Sequence, residues 1–511
     1  MRTQSDKKTQ SIVHDQLSSC LKTNLTYIKE QLGHSTDLVV RHLHIGSKKN
    51  GMAICYLDGL VEKETIRDQF MSQVKRQAFS AKDPQKLKEE VENLITAVSA
   101  VEHVRLFNDL FKHLMAGDSI LLIDQVKSGL IIDTKGGNSR EIDMVTTQEV
   151  VRGPKEGFVE RLESNIALVR RRLKDRNFWL KSYSIGTKTQ TTVVIGYLNG
   201  IVNPDIVKEV EERLSRIKID AILESGNIEE FIQDDMYSPF PTVYNSERPD
   251  AIAAGILEGK VAIFVDGTPF VLLVPTLFVD FLKSSEDYYQ RSDISTMIRC
   301  LRVLAFFIAL LTPSFYIAVT LFHQEMLPTT LLTSLAAQRE GIPFPAFIEA
   351  LIMEVTFELL REAGVRLPSS VGSAISIVGA LVLGQAAVEA GIVSPMMVIV
   401  VSFTAISSFV FPSYNLAISI RMLRFVFMML AASFGLYGIF TGFLLMVFHL
   451  ASLRSFGIPY LFPLAPFSFS GQRDVFWRAP LAQSKERPHL LSQINTTKNQ
   501  TEPSSKKEID L

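Results

Sequence analysis

Four charged side chains lie close together in an otherwise apolar stretch of this sequence. Glu354, Glu358, Arg361 and Glu362 are spaced three and four residues apart, so a helix would present them on one shared face. An apolar stripe with the same periodicity occupies another face, which predicts an amphipathic helix over 346–364. A charge at the centre of a bilayer costs about 3 kcal/mol on insertion scales, so this face must meet protein or water.

Two interpretations of this helix remain open. In the first, it lies along the membrane interface with its charges among the lipid headgroups. In the second, it crosses the membrane and lines an aqueous path, where Glu354, Glu358, Arg361 and Glu362 line a pore. Carboxylates repeated around a symmetric ring would then favour cations.

A second cluster of charge consists of Arg170, Arg171 and Arg172, followed by Lys174. These cations are candidates for interaction with anionic lipid headgroups or phosphate. Alternatively, they form a solvated face or pair with neighbouring acids.

Sequence signatures of catalysis are absent. The chain has no G-x-x-x-x-G-K-[ST], G-x-S-x-G or H-E-x-x-H motif. His42 and His44 would share one face of a strand, but no third ligand accompanies them. We therefore nominate no catalytic residue, no metal site and no cofactor, and we expect a protein that is not an enzyme.

Hydropathy divides the 511 residues into two parts. Residues 1–300 carry charge at an ordinary soluble density, whereas 301–448 contains apolar stretches too long for a globular core. This excludes a soluble single-domain enzyme, and the net charge of −1 gives no reason to expect nucleic acid as a partner. We predict a membrane domain over 291–455, with spans at 301–322, 371–390, 395–420 and 425–450, and a possible fifth at 346–364.

The topology is open at this stage. The amino terminus has no signal-peptide pattern, and the first predicted span begins only after about 300 residues. Three arginines lie at the start of this span: Arg291, Arg299 and Arg302. Both observations predict a cytoplasmic amino-terminal domain. If 346–364 crosses the membrane, the carboxyl terminus lies outside. If it does not cross, four spans return the tail to the cytoplasm, but Arg421 and Arg424 then face the wrong side.

Small residues recur at helical spacing in two of the predicted spans. Such residues let helices approach closely in lipid, either within one subunit or between subunits. The candidates for helix packing are Ser376, Ala380, Gly384, Gly435, Gly438 and Gly442.

The soluble half contains an internal repeat. Ile45–Lys48 with Met52–Val61 matches Ile185–Lys188 with Val193–Val202, and Gly117–Asp124 matches Gly259–Asp266 at nearly the same offset. Each unit has a β-branched run ending in a turn dipeptide (Asp58-Gly59 or Asn199-Gly200), then an amphipathic helix and a Gly-led strand.

The predicted fold class is an α+β or α/β soluble amino-terminal domain of two related units, followed by an α-helical multi-pass membrane domain. The polar composition after Gly471 predicts disorder from about residue 471. The predicted boundaries are an amino-terminal segment 1–39, the α/β units 40–145 and 181–290 joined by a linker helix in 146–180, the membrane domain 291–455, and a tail 456–511.

Several long motifs, in order along nearly the whole chain, resemble the A subunit of the GerA-type spore germination receptors. The motifs are Val151–Glu160, Asn165–Arg172, Tyr237–Pro241 with Glu247–Pro249, Pro269–Pro275, Glu286–Tyr289, Ile348–Gly364 and Gly384–Ala390.

This resemblance implies a multi-pass protein of the spore inner membrane that acts with a transporter-like B subunit and a C-subunit lipoprotein. It implies a homo-oligomer that forms a nutrient-gated ion channel, and it favours the pore interpretation of Glu354 and Glu358. The alternatives are a signalling scaffold that conducts nothing, and a related sporulation-stage membrane protein that moves ions or small solutes.

Overall fold

The computed structural model divides the chain into two compact units. The first unit comprises Met1–Gln233, Val243–Pro275 and Lys485–Glu502, and the second comprises Asp234–Thr242, Thr276–Ser484 and Pro503–Leu511. Within them the structure describes residues 15–45, 50–67, 83–96, 101–136, 144–145, 147–366, 384–469, 471–483, 486–488, 490–492, 495 and 497–498.

The first unit contains two sheets, of which the first is built from strands β1–β5: Leu38–Ile45, Asn50–Leu57, Val101–Val104, Ser119–Ile123 and Gly129–Ile132. Their order is β1-β2-β4-β5-β3, and every neighbouring pair is antiparallel. Alternate residues of β2 enter two different cores, because successive strand side chains point to opposite faces. The described helices beside this sheet include α1 (Leu21–Gln31), α2 (Pro84–Thr96) and α3 (Phe107–Ala116).

The second sheet is built from strands β6–β10: Phe178–Ile185, Thr191–Leu198, Tyr244–Ser246, Val261–Val265 and Val271–Val274. Its order is β6-β7-β9-β10-β8, the same as in the first sheet, and it too is antiparallel throughout. The helices are α4 (Leu162–Arg172), α5 (Pro204–Arg216), α6 (Ser225–Ile232) and α7 (Pro249–Leu257). Apolar side chains of α4 and α7 pack on one face of this sheet.

Tight turns follow β2 and β7 where the two dipeptides predict them. Gly59 and Gly200 have φ angles of +81° and +83°, a conformation that glycine adopts without a Cβ penalty. The helix predicted after the second turn is α5, whose amino terminus is capped by the Asn203 side chain. Most of the helix expected after the first turn lies outside the described residues.

The second unit consists mainly of helices α8–α13: Ser292–Phe322, Thr329–Arg339, Ala346–Arg366, Gly384–Glu389, Pro395–Ser408 and Tyr414–Ser452. Among the described helices, α8 and α13 are long and apolar enough to cross a bilayer, and α12 is a shorter apolar helix. Helix α8 contains the predicted span 301–322, and α10 contains the possible span 346–364. Most of the predicted span 371–390 lies outside the described residues.

The boundaries of the last two predicted spans differ from the helices. The chain is interrupted between Ser408 and Tyr414, around Pro412, and α13 then takes in residues assigned to both 395–420 and 425–450. Helix α13 is itself broken at Gly435, which has φ +62° and ψ −141°. A Cβ on Gly442 would lie 2.7 Å from Leu430 Cδ1 and 3.3 Å from Phe427 Cε1, so the segments on either side of Gly435 lie against each other.

The segment after α13 makes defined contacts, whereas its composition predicts disorder from about residue 471. A short hairpin, β11 (Arg454–Ser455) with β12 (Ile458–Pro459), follows the helix. In the second unit, Arg299 Nη1 donates to Asp474 Oδ1 at 2.9 Å. In the first unit, Leu491 is fully buried. These contacts involve residues far away in sequence, which composition does not reveal.

Candidate functional site

The charged face of α10 packs against the amino-terminal half of α13. Arg424 Nη1 donates to Glu354 Oε2 at 2.6 Å, and Arg424 Nε donates to the carbonyl of Ala309 in α8 at 2.7 Å. The side chains of Glu354 and Arg424 are 0% and 1% exposed. Three apolar helices therefore enclose one ion pair.

A second ion pair lies one turn away. Arg421 Nη1 donates to Glu358 Oε2 at 2.6 Å, and these side chains are 13% and 27% exposed respectively. Glu354 and Glu358 are four residues apart on α10, so they lie on one face of that helix. Arg421 and Arg424 are three residues apart and lie on one face of α13, and these two faces meet. The two pairs together carry no net charge.

Both pairs leave polar atoms without a partner. Glu354 Oε1, Glu358 Oε1, Arg421 Nε and Arg424 Nη2 are buried and have no hydrogen-bond partner among the described residues. Each such group carries a desolvation penalty of about 1–3 kcal/mol, and more when it is charged. A half-satisfied charged network in an apolar surrounding is thus a place where water, an ion or another chain would be stabilised.

The other two residues of the predicted face lie differently. Arg361 stacks over Phe409 at 4.6 Å from the ring centroid and donates to Ser408 Oγ at 3.4 Å. Glu362 is exposed and pairs with Arg366 on its own helix at 2.6 Å. The structure thus brings Glu354 and Glu358 together with cations of α13, and places Glu362 apart from them.

A third buried glutamate holds the start of α10. Glu349 Oε2 accepts hydrogen bonds from the backbone N and Oγ of Ser394 at 3.0 Å and 2.9 Å, and Arg339 Nε donates to Glu349 Oε1 at 3.3 Å. Ser394 also caps α12. Glu349 therefore joins the ends of α9, α10 and α12.

Sequence reasoning missed Glu349, and it treated Arg421 and Arg424 only as topological markers. A usable signal was present for the arginines: two cations at helical spacing inside an apolar helix, with two carboxylates at matching spacing in another.

The helix-packing candidates make contacts within the chain. A Cβ on Gly435 would lie 2.8 Å from His323 Cε1, and one on Gly438 would lie 2.3 Å from the Leu430 carbonyl oxygen. Gly384 is more open, with Val398 Cγ1 at 3.7 Å. Ser376 and Ala380 lie outside the described residues.

The three consecutive arginines of α4 have three different surroundings. Arg170 is fully buried, donates from Nε to Asp37 Oδ2 at 2.8 Å and lies over the Phe178 ring. Arg172 pairs with Glu156 at 2.8 Å, and the exposed Arg171 donates to the Gly136 carbonyl at 3.3 Å. Arg170 thereby links the loop before β1 to the second sheet.

A further charged cluster surrounds the start of α8. Asp287 accepts from Arg299 Nε at 3.0 Å and from Arg302 Nη1 at 2.8 Å, and Arg299 also bonds Asp474. Burial favours a raised pKa for Asp474, but Lys283 and Arg299 hold that pKa well below its usual range. Among the residues that the structure describes, no three His, Cys, Asp or Glu side chains are grouped to hold a metal ion.

Comparison with known proteins finds extensive similarity. A family model described as "Bacillus/Clostridium GerA spore germination protein" matches residues 26–490. The chain is 47% identical over 477 residues to spore germination protein KA of Bacillus subtilis, covering 93% of this chain and 87% of that protein. It is 46% identical over 482 residues to the uncharacterized membrane protein YfkQ of Bacillus subtilis, covering 94% and 93%.

Two further similarities lie at 39% identity. Spore germination protein GerLA of Bacillus cereus matches over 470 residues, with 92% of this chain and 95% of that protein covered. The crystal structure of the N-terminal domain of the A subunit of the Bacillus megaterium spore germinant receptor GerK3 matches 52% of this chain and 97% of that chain, with a TM-score of 0.40.

Proposed function

Because the chain belongs to the GerA family of spore germination proteins, we propose that it is the A subunit of a nutrient germinant receptor that forms an ion channel. In this proposal several copies assemble in the spore inner membrane around a common aqueous path. A transporter-like B subunit holds the nutrient, and a C-subunit lipoprotein completes the receptor. Nutrient binding opens the path, and the resulting ion flow starts germination.

The observation that carries the channel proposal is the charged network between α10 and α13. Apolar helices tolerate buried carboxylates and guanidinium groups rarely, and such residues mark ion paths or proton relays in membrane proteins. Glu354 and Glu358 each keep one oxygen without a partner among the described residues. Those oxygens could bind water or a passing cation when the helices move apart.

The paired state supports a gating mechanism. With both glutamates paired to arginines, neither of these two carboxylates is free to bind a cation, which corresponds to a closed state. Separation of α10 from α13 would release the carboxylates and open the path. Nutrient bound to a partner subunit opens the channel only to the extent that it binds better to the open state.

Membrane placement is part of the same proposal. The apolar helices form a multi-pass domain, and the arginines at the entry of α8 favour a cytoplasmic, core-facing amino-terminal domain. Phe467, Phe469 and Trp477 follow the last helix and are 70%, 80% and 66% exposed. Exposed aromatic side chains at the ends of membrane helices are typical of the membrane–water interface.

The soluble half would assemble or gate the receptor. Its two antiparallel sheets share one strand order, and each places a cation over an equivalent tyrosine: Arg41 over Tyr56 and Lys181 over Tyr197, both at 5.9 Å. We interpret the two sheets as the tandem repeat that the sequence predicts. Two related surfaces on one chain suit contacts with neighbouring subunits.

The test is the double variant Glu354→Gln with Glu358→Gln in spores, compared with Glu340→Gln, an exposed glutamate before α10. We expect the double variant to alter the rate of ion release per receptor after nutrient addition, and the control to behave as the unmodified chain. The amount of receptor is measured by immunoblot in both, because loss of the buried ion pair also destabilises the chain. Unchanged release in the double variant would contradict a role of these carboxylates. Recording nutrient-dependent current from the receptor in planar bilayers separates a channel from a non-conducting scaffold.

A further inference from the structure

We propose that α1 of one copy of this chain docks on the turn after β7 of a second copy, so that the copies associate head to tail. This interface would repeat between two chains a contact that α4 makes within one chain. The docking rests on the proposed assembly of several copies, and it is independent of conduction. It concerns the soluble half alone.

Helices α1 and α4 occupy equivalent places before the first strand of each sheet. Both are eleven residues long, and they start 141 positions apart, at Leu21 and Leu162, as do the turn dipeptides that follow β2 and β7. The buried Asn24 and Asn165 make the same two hydrogen bonds. Each side-chain oxygen accepts from the backbone N of the residue six positions earlier, and each side-chain nitrogen donates to the carbonyl of that residue.

The starts of the two helices are also held in the same way. Leu21 N donates to Asp124 Oδ1 at 3.0 Å, and Leu162 N donates to Asp266 Oδ1 at 3.3 Å. The two aspartates are the matching ends of the second pair of repeated segments in the sequence. We therefore treat α1 and α4 as equivalent helices.

Helix α4 contacts the first sheet as well as its own sheet. Ala167 belongs to a core of the first sheet, and Arg170 pairs with Asp37 in the loop before β1 at 2.8 Å. A Cβ on Gly59 would lie 2.9 Å from Ala167 Cβ and 2.9 Å from the Glu163 carbonyl oxygen. The turn after β2 is thus covered by a second face of α4.

The equivalent face of α1 is exposed. Its residues are Lys22, Thr26 and Lys29, which are 141 positions before the three α4 residues that contact the first sheet. Lys29 keeps the positive charge of Arg170 at the matching position, and Thr26 is a small residue. Helix α1 therefore presents to solvent the kind of face that α4 buries.

The turn after β7 is the uncovered counterpart of the turn after β2. Asp58 N donates to the Asp37 carbonyl at 2.8 Å, and Asn199 N donates to the Asn177 carbonyl at 2.9 Å, so the two turns are tied to their sheets alike. Asn199 and Gly200 are nevertheless exposed, and a Cβ on Gly200 would have no described atom within 4 Å. This surface is free to receive a helix that the single chain does not supply to it.

The charge beside the second turn suits α1 of a neighbouring copy. In the contact within the chain, the cation Arg170 meets the carboxylate of Asp37. Beside the second turn the carboxylate is Asp175, which is exposed and whose Oδ1 accepts from Asn177 Nδ2 at 3.0 Å. We expect Lys29 of the neighbouring copy to pair with Asp175, because opposite charges across an interface fix its register.

The symmetry of this interface follows from its two different surfaces. Each copy offers α1 to one neighbour and the turn after β7 to another, so the contact is heterologous. Heterologous contacts generate a ring when the rotation from copy to copy closes. A ring of soluble halves suits a path that several copies share.

The experiment cross-links two differently tagged full-length chains that are co-expressed, with the native cysteines replaced in both. One chain carries Thr26→Cys on α1, the other carries Asn199→Cys at the second turn, and membranes are treated with a short bismaleimide. We expect a covalent dimer that bears both tags. Neither variant should yield a dimer alone, and Thr26→Cys combined with Ser215→Cys, an exposed position on α5, should yield none.

A charge reversal in the same assay tests the register. Lys29→Glu in the first chain or Asp175→Lys in the second should each lower the yield of the dimer by up to about fivefold, the range of an exposed ion pair. The two changes together should restore the yield. Equal yields in all four combinations would reject the pairing of these two residues.

Two results would overturn the docking: a dimer from Thr26→Cys alone, which indicates a two-fold symmetric contact, or oligomers by amine cross-linking without the dimer of Thr26→Cys and Asn199→Cys. The second result leaves the proposed assembly intact. A chain that is monomeric in membranes would refute both the docking and the proposed channel. The expected cross-links together with an absence of nutrient-dependent current would refute the channel alone.

Discussion

Loss of the buried Glu354–Arg424 pair should destabilise the chain strongly and in a coupled way. Both side chains are essentially inaccessible, and their nitrogen and oxygen atoms are 2.6 Å apart. Removal of one partner leaves an uncompensated charge among apolar helices, which costs about 3–5 kcal/mol. That corresponds to roughly two to three and a half orders of magnitude in the folded-to-unfolded ratio. We expect Arg424→Met to show a loss of this size, since it also removes the hydrogen bond to Ala309.

The coupling is measured with Glu354→Gln, Arg424→Met and the double variant, purified as full-length chain in lipid nanodiscs and unfolded with denaturant. The double variant should be no less stable than Arg424→Met, because neither charge is then left alone. The matched control is the exposed pair Glu362–Arg366 on α10, where Glu362→Gln should cost no more than about 0.5 kcal/mol.

Additive losses would refute this reasoning. If the double variant loses the sum of the two single losses, the side chains act independently and the ion pair does not stabilise the contact between α10 and α13. A loss from Glu362→Gln as large as that from Glu354→Gln would show that burial does not set the energy.

Two further predictions concern the soluble half. Arg170→Ala should destabilise the chain by about 3–5 kcal/mol, because it leaves Asp37 buried without its cation. The control is Arg171→Ala, which removes an exposed side chain and should cost less than about 0.5 kcal/mol. Denaturant unfolding measures both losses, and equal losses would contradict the ion-pair explanation. Burial raises the pKa of Glu229 from its ordinary value near 4.5 to about 7, although Asn245 donates a hydrogen bond to it. The folded state therefore binds this proton more tightly, so its stabilising contribution is complete below about pH 4.5 and is lost as the pH rises through about 7. Glu229→Gln should remove this part of the pH dependence of unfolding, and an unchanged profile would count against it.

Several features of the site could be read from local sequence. The helix of Glu354 and Glu358 follows from spacing alone, because helical periodicity is a property of adjacent turns. The turns at Gly59 and Gly200 are predicted by two-residue motifs, because a left-handed backbone favours glycine. The shared strand order of the two sheets agrees with the repeat that two separated matches indicate.

Other features depend on residues far apart in the chain. Glu354 is 70 residues from Arg424, and no local sequence pattern predicts that these two side chains form an ion pair. In the sequence, Gly435 is one of several small residues that predict helix packing. In the tertiary structure, α13 is broken at Gly435, and this break places Gly442 against Leu430. The composition of the polar tail predicts disorder because it cannot form a core of its own, yet Leu491 is fully buried and its carbonyl accepts a hydrogen bond from Asn203 N at 3.3 Å.

The sequence by itself determined which segments are apolar and where charges interrupt them, and it predicted a repeat in the amino-terminal half, since these properties need only the residues and their spacing along the chain. The tertiary structure alone decided which charge neutralises which, where α13 reverses and where the tail is held. The physical reason is that a buried charge is stabilised only by a partner a few ångströms away in space, and chain folding, not sequence distance, selects that partner.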